Sequence, residues 1–458
     1  MQAALEELIE QDHPVRFVRD FVQQIDLVAH GFKAPRIDAP GQPPFSSELL
    51  LGAWLYGYTR AIRSTRKLET ACREQQPLIW LLGGRQPDHN TLWRFFRNNR
   101  AALRDVFVMT VRVAARLDLA GLVLHALDGT KITSACSTDT ALHRNTLEKA
   151  LAKLGDQAVE QTMREIEQTE ERVGSEARLP SRILDVETRR AAIIAQIARL
   201  DTAQTKHLHP GEPDARMMRN KGRLEMAYNA QAVADLSGYV VAHDVVSDEN
   251  DSKQLEPMLD KVVQNLGEIA DNTLIDDGYV TPQQLAKAHQ QERNVVIPPG
   301  SLPLESPGPY DKSKFTYDVE RDVYVCPMGE ILPFERLVRP RPRHSELAVY
   351  RCGNRECPVR GECTNDRNGR SVRRSPDDAA THTQRSRQRD PEIAALYKFR
   401  KVLIEPVFAQ VKAIVGFRRF TVRGLENVRT QWALICTTLN LKKLILRWQL
   451  ALRATLAT

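Results

Sequence analysis

Residues 120–136, AGLVLHALDGTKITSAC, decide how the rest of the chain is read. Leu122, Val123, Leu124 and Leu127 form a short apolar run that stops at Asp128-Gly129, which predicts a buried strand closing in a turn with an acid at its end. The pattern returns at 273–280, TLIDDGYV, where a second short strand runs into Asp276, Asp277 and a glycine. Between the two, LEMAYNAQAVAD (224–235) and YVVAHDVVSD (239–248) flank Leu236-Ser237-Gly238 and predict a β-hairpin. A helix is predicted over 252–266. Strands and helices in this order predict a mixed α/β fold that carries carboxylates at one rim of its sheet.

The flanks are helical. Leu49, Leu50, Leu51, Trp54 and Leu55 have helical spacing and lead into Arg60, Arg63, Arg66 and Lys67. Gly83 and Gly84 break the chain, and Asp88 is placed to cap a helix whose apolar face is Leu92, Phe95 and Phe96. Arg94, Arg97 and Arg100 recur every three residues there. Helix, turn and basic helix are a shape that can enter a major groove, or simply a solvated basic face. Residues 143–205 predict a long helical hairpin inserted into the sheet domain, with Leu147, Leu151, Leu154, Ile193, Ile194, Ile197 and Leu200 as its apolar positions and Pro180 as an interruption. The chain closes with two helices, one marked by Ile393, Leu396, Leu403, Val407, Val411 and Ile414, the other by Leu425, Val428, Trp432, Ile435, Leu439 and Leu446. Pro406 disfavours helical geometry at Glu405, so the first is expected to kink or begin there.

The chain has 458 residues, room for two to four domains. With 42% hydrophobic and 27% charged residues it is neither disordered nor fibrous. The net charge of +7 hints at a polyanionic partner, and its distribution says more. From Arg385 to Arg429 there are eleven Lys or Arg against four acids. The first residues carry acids where a signal peptide needs bases, and no run of about 18 apolar residues could span a bilayer, so the expected location is the cytoplasm.

Seven cysteines do not make a disulfide framework. Four of them, Cys326, Cys352, Cys357 and Cys363, crowd into a segment rich in Pro and Arg and poor in periodicity, 298–391, that something must organise. Four thiolates could hold a structural Zn²⁺, although the spacings are looser than C-x2-C and reduced, unligated thiols fit as well. Arginines 336, 339, 341, 343, 351, 355 and 360 around them suit a lobe that faces DNA.

A third acid joins Asp128 and Asp276. In YKFRKVLIEPVFAQVK (397–412), Lys398, Glu405 and Lys412 are spaced by sevens and share a helix face to within about 20° per repeat. Carboxylate oxygens are hard ligands suited to Mg²⁺ or Mn²⁺. Two such ions about 3.5–4 Å apart can stabilise both the attacking and the leaving oxygen of a phosphodiester displacement. Ordinary ion pairs along a helix are the bland reading.

With these residues in view, the chain resembles the DDE transposases of bacterial insertion sequences, whose catalytic domain is RNase H-like. The signature Y-x2-R-x3-E-x6-K is similar to Tyr397, Arg400, Glu405 and Lys412, with one extra residue before the glutamate, so that Lys401 competes with Arg400 for the arginine role. LDGTKI resembles the first-aspartate motif and LIDDGYV the Asp-x-Gly-Tyr motif, which selects Asp276 over Asp277. HPVRF, RSTRKLE, RQPDHNTLWRF, YNAQA and NDSKQLEPML extend the resemblance over most of the chain. It implies that Asp128, Asp276 and Glu405 ligate two Mg²⁺ ions, for which Mn²⁺ could substitute. Water activated there would cut at each transposon end, and the freed 3′-hydroxyl would attack target DNA. Lys412 and Arg400 or Lys401 would contact phosphate, and Tyr397 and Tyr279 would pack or bond backbone. His125 is expected in the core, and Lys131 faces either DNA or solvent. The implied partner is double-stranded DNA, terminal repeats and target alike, bound by a dimer or higher oligomer. The implied layout is a helical DNA-binding domain at 1–117, the first part of the core at 118–307, a Cys/Arg-rich insertion at 308–385 and helices completing the core at 386–458. The alternative function is a catalytically inactive or repurposed DNA-binding descendant.

Overall fold

The computed structural model describes residues 6–33, 44–153, 186–220, 222–302, 308–338, 346–375 and 377–456. The N-terminal helices are α1 (Pro14–Gln23), α2 (Ser47–Thr59), α3 (Thr65–Glu74), α4 (Gln76–Leu81), α5 (His89–Asn98) and α6 (Arg100–Arg116). Every residue of α2 from Leu50 to Tyr58 is buried, as an apolar sequence without a polar face requires. The Asp88 side chain accepts from the Thr91 N–H at 2.7 Å and caps α5, whose Leu92, Phe95 and Phe96 are buried as expected.

Strand β1 is Leu124–Thr133. The expected turn at Asp128-Gly129 is corrected: the strand passes through both residues, because its neighbour pairs with it from His125↔Asp235 to Thr133↔Ala227. The short β2 (Leu142–His143) and β3 (His207–Leu208) pair at the base of the insertion. Above them α7 (Arg144–Lys153) and α8 (Val186–Thr202) pack through Leu147, Ile193, Ile197 and Leu200, so the hairpin forms at its base. Leu154 and Pro180 lie outside the described residues.

The core sheet continues with β4 (Arg216–Asn220), β5 (Arg223–Asp235) and β6 (Val240–Val246), the last two forming the expected hairpin. Helix α9 (Leu255–Leu266) leads to β7 (Asn272–Leu274), and α10 (Pro282–Gln290) to β8 (Val295–Val296). The order is β6-β5-β1-β7-β8, with β4 sharing the outer edge of β5. β5 is antiparallel to β1, whereas β7 and β8 run parallel to it.

The segment that offered no period, 298–391, contains a second sheet. Strands β9 (Thr316–Asp318), β10 (Val323–Val325), β11 (Ile331–Val338), β12 (Leu347–Arg351) and β13 (Ser371–Arg374) pair in the order 13-12-11-10-9, all antiparallel, with a short helix α11 (Arg360–Cys363) before the last. The core of this lobe is small: Phe315, Tyr324, Leu332, Tyr350 and Val372.

Helices α12 (Asp378–Gln388), α13 (Pro391–Tyr397), α14 (Phe399–Ala409) and α15 (Leu425–Leu456) follow. The expected break at Pro406 is displaced. The helix divides at Lys398 and runs on through Pro406, then loosens into a π turn at Gln410–Ile414. Proline is accommodated on a face of the helix that is open to solvent: Pro406 is exposed, and Val402, whose carbonyl it leaves without an intrahelical donor, is 69% exposed. One buried cluster joins the N-terminal helices, the sheet, α14 and α15.

Candidate active site

The parallel register of β1 and β7 builds the site. Ala126 lies opposite Leu274, so Asp128 and Asp276, each two residues further on, leave the ends of neighbouring strands side by side and on one face. Arg400, in the first turn of α14, closes over them. Its Nη2 lies 2.9 Å from Asp128 Oδ2 and 3.6 Å from Asp276 Oδ2. The guanidinium is buried, Asp128 is largely so, and Asp276 is half exposed. Burial pushes the Asp128 carboxyl up to about 6; Arg400 and the Gly129 N–H pull it down, and Asp276 and Asp251 push it further up. Asp277, by contrast, is exposed.

The rest of α14 follows the same face. The Lys412 ammonium donates to Thr130 Oγ1, two residues beyond Asp128 on β1. The Tyr397 phenol is half-buried, with its pKa raised by burial, lowered by Arg400, and raised by Asp276, Asp128 and Asp277, which places it beside the acids. Of the two competing cations, Arg400 reaches the carboxylates while Lys401 is exposed. Glu405 is exposed, and its carboxylate has no ion pair among the described residues. Nor do the described residues bring three His, Cys, Asp or Glu side chains together closely enough to hold a metal ion. The donor chemistry of Asp128 and Asp276 nevertheless fits a divalent cation: two carboxylates in register already converge on one positive group.

A fourth acid escaped the sequence reading. Asp251 Oδ1 accepts from Asn229 Nδ2 at 2.6 Å and Gln231 Nε2 at 2.7 Å, and Lys131 Nζ is 3.6 Å away. By strand pairing, Gly129, Lys131, Asn229 and Gln231 share the face of the sheet opposite to Asp128. Glycine at 129 leaves room for this group, since a Cβ would lie 2.7 Å from Asp251 Oδ1 and closer still to Gln231, and those side-chain ends would have to shift. The buried Tyr279 donates its hydroxyl to Gln231 Oε1, and Gly278 packs on Asp251, so this polar group supports the turn that presents Asp276. The signal was YNAQA, with the buried Asn229 and Gln231 alternating within the otherwise hydrophobic stretch Met226–Ala234 of the strand. His125 is a core residue, bonded to the Gly121 carbonyl at 2.9 Å, and burial lowers its pKa to about 4.

Elsewhere, Arg94 and Arg97 lie exposed on α5, but Arg100 begins α6 and donates to Asn427 Oδ1 at 3.1 Å, so it leaves that face. In the lobe, Cys326 Sγ accepts from the Met328 and Glu330 N–H groups, each at 3.3 Å. Cys326, Cys352 and Cys357 all stand near enough to Cys363 to add to the rise that burial gives its thiol pKa. The donors fit a thiophilic cation in kind; as arranged they do not form a closed site.

A five-strand order of this kind, with carboxylates at the rim of β1 and β7 and a helix laid across them, defines an RNase H-like α/β fold. Comparison with known families agrees. Residues 325–445 match the model of the transposase DDE domain, and residues 3–98 match that of a transposase domain, DUF772. No curated protein matches the chain. Both matched families are transposase families, one at each end of the chain, and together they support a DDE transposase of the insertion-sequence kind. Members of this family act on DNA and generally use a divalent metal. No helix among the described residues is long and apolar enough to cross a membrane.

Proposed function

We propose that this transposase hydrolyses the phosphodiester bond at each end of its element and joins the freed 3′-hydroxyls to target DNA, with Asp128, Asp276 and Glu405 as its three acids. The supporting observation is the in-register pair Asp128 and Asp276 under Arg400. A divalent cation, Mg²⁺ or Mn²⁺, held by Asp128 and Asp276 and joined by Glu405, would supply Lewis acidity to the scissile phosphate and lower the pKa of bound water. Arg400 offsets the repulsion between the two carboxylates and presents its remaining N–H groups to phosphate oxygens. Lys412 and Tyr397 border the same face and steady the strand being cut. Asp251, with Asn229, Gln231 and Lys131, positions the Asp276 turn. The 1–117 helices, with Arg94 and Arg97, bind the element's ends, and two copies of the chain meet on DNA to pair those ends. In the 308–385 insertion, Cys326, Cys352, Cys357 and Cys363 hold a structural zinc, and metal analysis of the purified protein should find about one per chain.

The test is nicking of labelled DNA carrying the element's own end, with Mg²⁺ or EDTA. Asp128→Asn, Asp276→Asn and Glu405→Gln should each lose about a thousandfold in rate, since such acids account for several kcal/mol of transition-state stabilisation, while DNA binding persists. A wild type that binds the ends and never cuts in Mg²⁺ or Mn²⁺ would favour the inactive, DNA-binding alternative. Full activity in Glu405→Gln would remove Glu405 from the triad and leave the two-aspartate pair standing.

A further inference from the structure

A second cationic group lies where the N-terminal helices meet the catalytic core. Helix α2 ends in a tight closure, with the Ile62 N–H on the Gly57 carbonyl at 2.8 Å and the Ala61 N–H on the Tyr58 carbonyl at 3.0 Å. Ala61 takes φ +62°, a left-handed conformation in which glycine is the usual residue. This turn carries Arg60 outward and directs Arg63 back toward the core. There the Arg63 guanidinium lies 5.5 Å from the centre of the Phe417 ring, with Nε and Nη2 buried and without a hydrogen-bond partner among the described residues. Lys442, half-buried on α15, completes the group. Burial lowers the pKa of its ammonium, and the nearby Arg60 and Arg63 lower it further. Among the described residues no carboxylate pairs with any of the three.

Three cations gathered without a counter-charge, one with two desolvated N–H groups unused, are costly for a folded chain to keep. They are what a polyanion requires. The position adds direction. Phe417 lies three residues past the π turn that contains Lys412, whose ammonium reaches the candidate site through Thr130, and its N–H donates back to the Val411 carbonyl of that turn at 2.8 Å. Arg418 and Arg419 are exposed between the buried Phe417 and Phe420, and Arg419 bridges to Thr133 at the far end of β1. A basic path thus runs from the acids along α14 to the α2–α3 turn.

We propose that Arg60, Arg63 and Lys442 form a seat for backbone phosphate of DNA, flanked by Arg418 and Arg419, and that it holds the duplex beyond the bond being cut. This assignment depends on the proposed action on DNA, and the experiment separates the two. Full-length protein is titrated into a fluorescein-labelled duplex of arbitrary sequence at several salt concentrations, and the slope of log K against log salt is read by anisotropy. Each phosphate contact adds about 0.9 to that slope. The double variant Arg60→Gln/Lys442→Gln should flatten the slope by about two and weaken binding at least tenfold at low salt, with an unchanged melting temperature. Arg63→Gln should flatten it by about one, and Arg63→Lys should recover most of that loss; this pair covers the case in which Arg63→Gln also loosens packing on Phe417. Asp128→Asn should leave the slope unaltered. A wild-type slope in the double variant would overturn the seat while leaving the DNA reading intact. A wild type that fails to bind duplex at all would overturn both.

Discussion

The two sheets of this protein treat their polar groups in opposite ways. The core sheet sits in a buried cluster that extends from α1 to α15, and it spends part of that stability on a site that opposes folding. Asp128 is buried beside other carboxylates and its pKa is pushed up to about 6. The Cys/Arg lobe has a core cluster of only five buried side chains for five strands. Its polar groups hold it together: the Tyr317 and Tyr350 hydroxyls share Asp322 Oδ1 at 2.7 and 2.5 Å, and Arg351 pairs with Glu335 and Asp366 at 2.9 and 3.1 Å. Gly369, at φ +96°, lies so close to the Cys352 carbonyl that no side chain fits. A large hydrophobic core can tolerate charges placed for chemistry, whereas a small one needs polar and covalent or metal-borne staples.

Substitutions can break or sharpen this contrast. The largest effect is expected from Tyr350→Ala. Tyr350 is 1% exposed and packs on Tyr317, Tyr324 and Phe334 with ring centres 5.1–5.9 Å away. Its loss should cost roughly 3–5 kcal/mol, enough to unfold a lobe with so little else inside it. Hydrogen exchange should then rise across β9–β13 and stay slow in β1 and β5; exchange rising equally in both would show one cooperative unit.

Next comes a titration. A carboxyl whose pKa rises on folding favours the folded state fully below its ordinary value of 3.8, and that contribution is lost as pH climbs through about 6. The melting temperature of the wild type relative to Asp128→Asn should therefore fall between about pH 4 and 6 and level off above. A flat difference would mean that Asp128 costs the core nothing. Smaller again is Gly129→Ala. The new methyl meets Asp251, Asn229 and Gln231, all side-chain ends that can shift, so about 1–3 kcal/mol should be lost. Cleavage should suffer more than stability, because the support under the Asp276 turn is disturbed.

The same contrast explains what could be read from the chain beforehand. Leu124 and Leu127, the apolar hairpin 224–247 and the buried face of α5 announce themselves because burial imposes a period on them. Asp128 and Asp276 were legible as acids following apolar runs. Asp251 was not, because it sits in a loop and acquires its meaning only from Asn229 and Gln231 across the strand. The five strands of the lobe were hidden for a related reason: in β11 only Leu332 is buried, so no alternation marks the strand. The break at Lys398 rather than Pro406 reflects solvent on one side of α14, which no local rule contains. The choice of Arg400 over Lys401 was open in the signature; in the fold, the one-residue difference turns one side chain toward the acids and the other toward water.

The pairing of Asp128 with Arg400 also sets a schedule. The two residues are 272 positions apart, and a ribosome adding about 5–20 residues per second delivers the second roughly 15–50 s after the first. Throughout that interval the nascent chain carries Asp128 with neither α14 nor α15 laid against the sheet. A prematurely released product ending before α14 would lack Arg400, Glu405 and Lys412 together. Synthesis of the last helices is thus the step that completes the group, and a truncated message yields a chain in which nothing closes over Asp128 and Asp276.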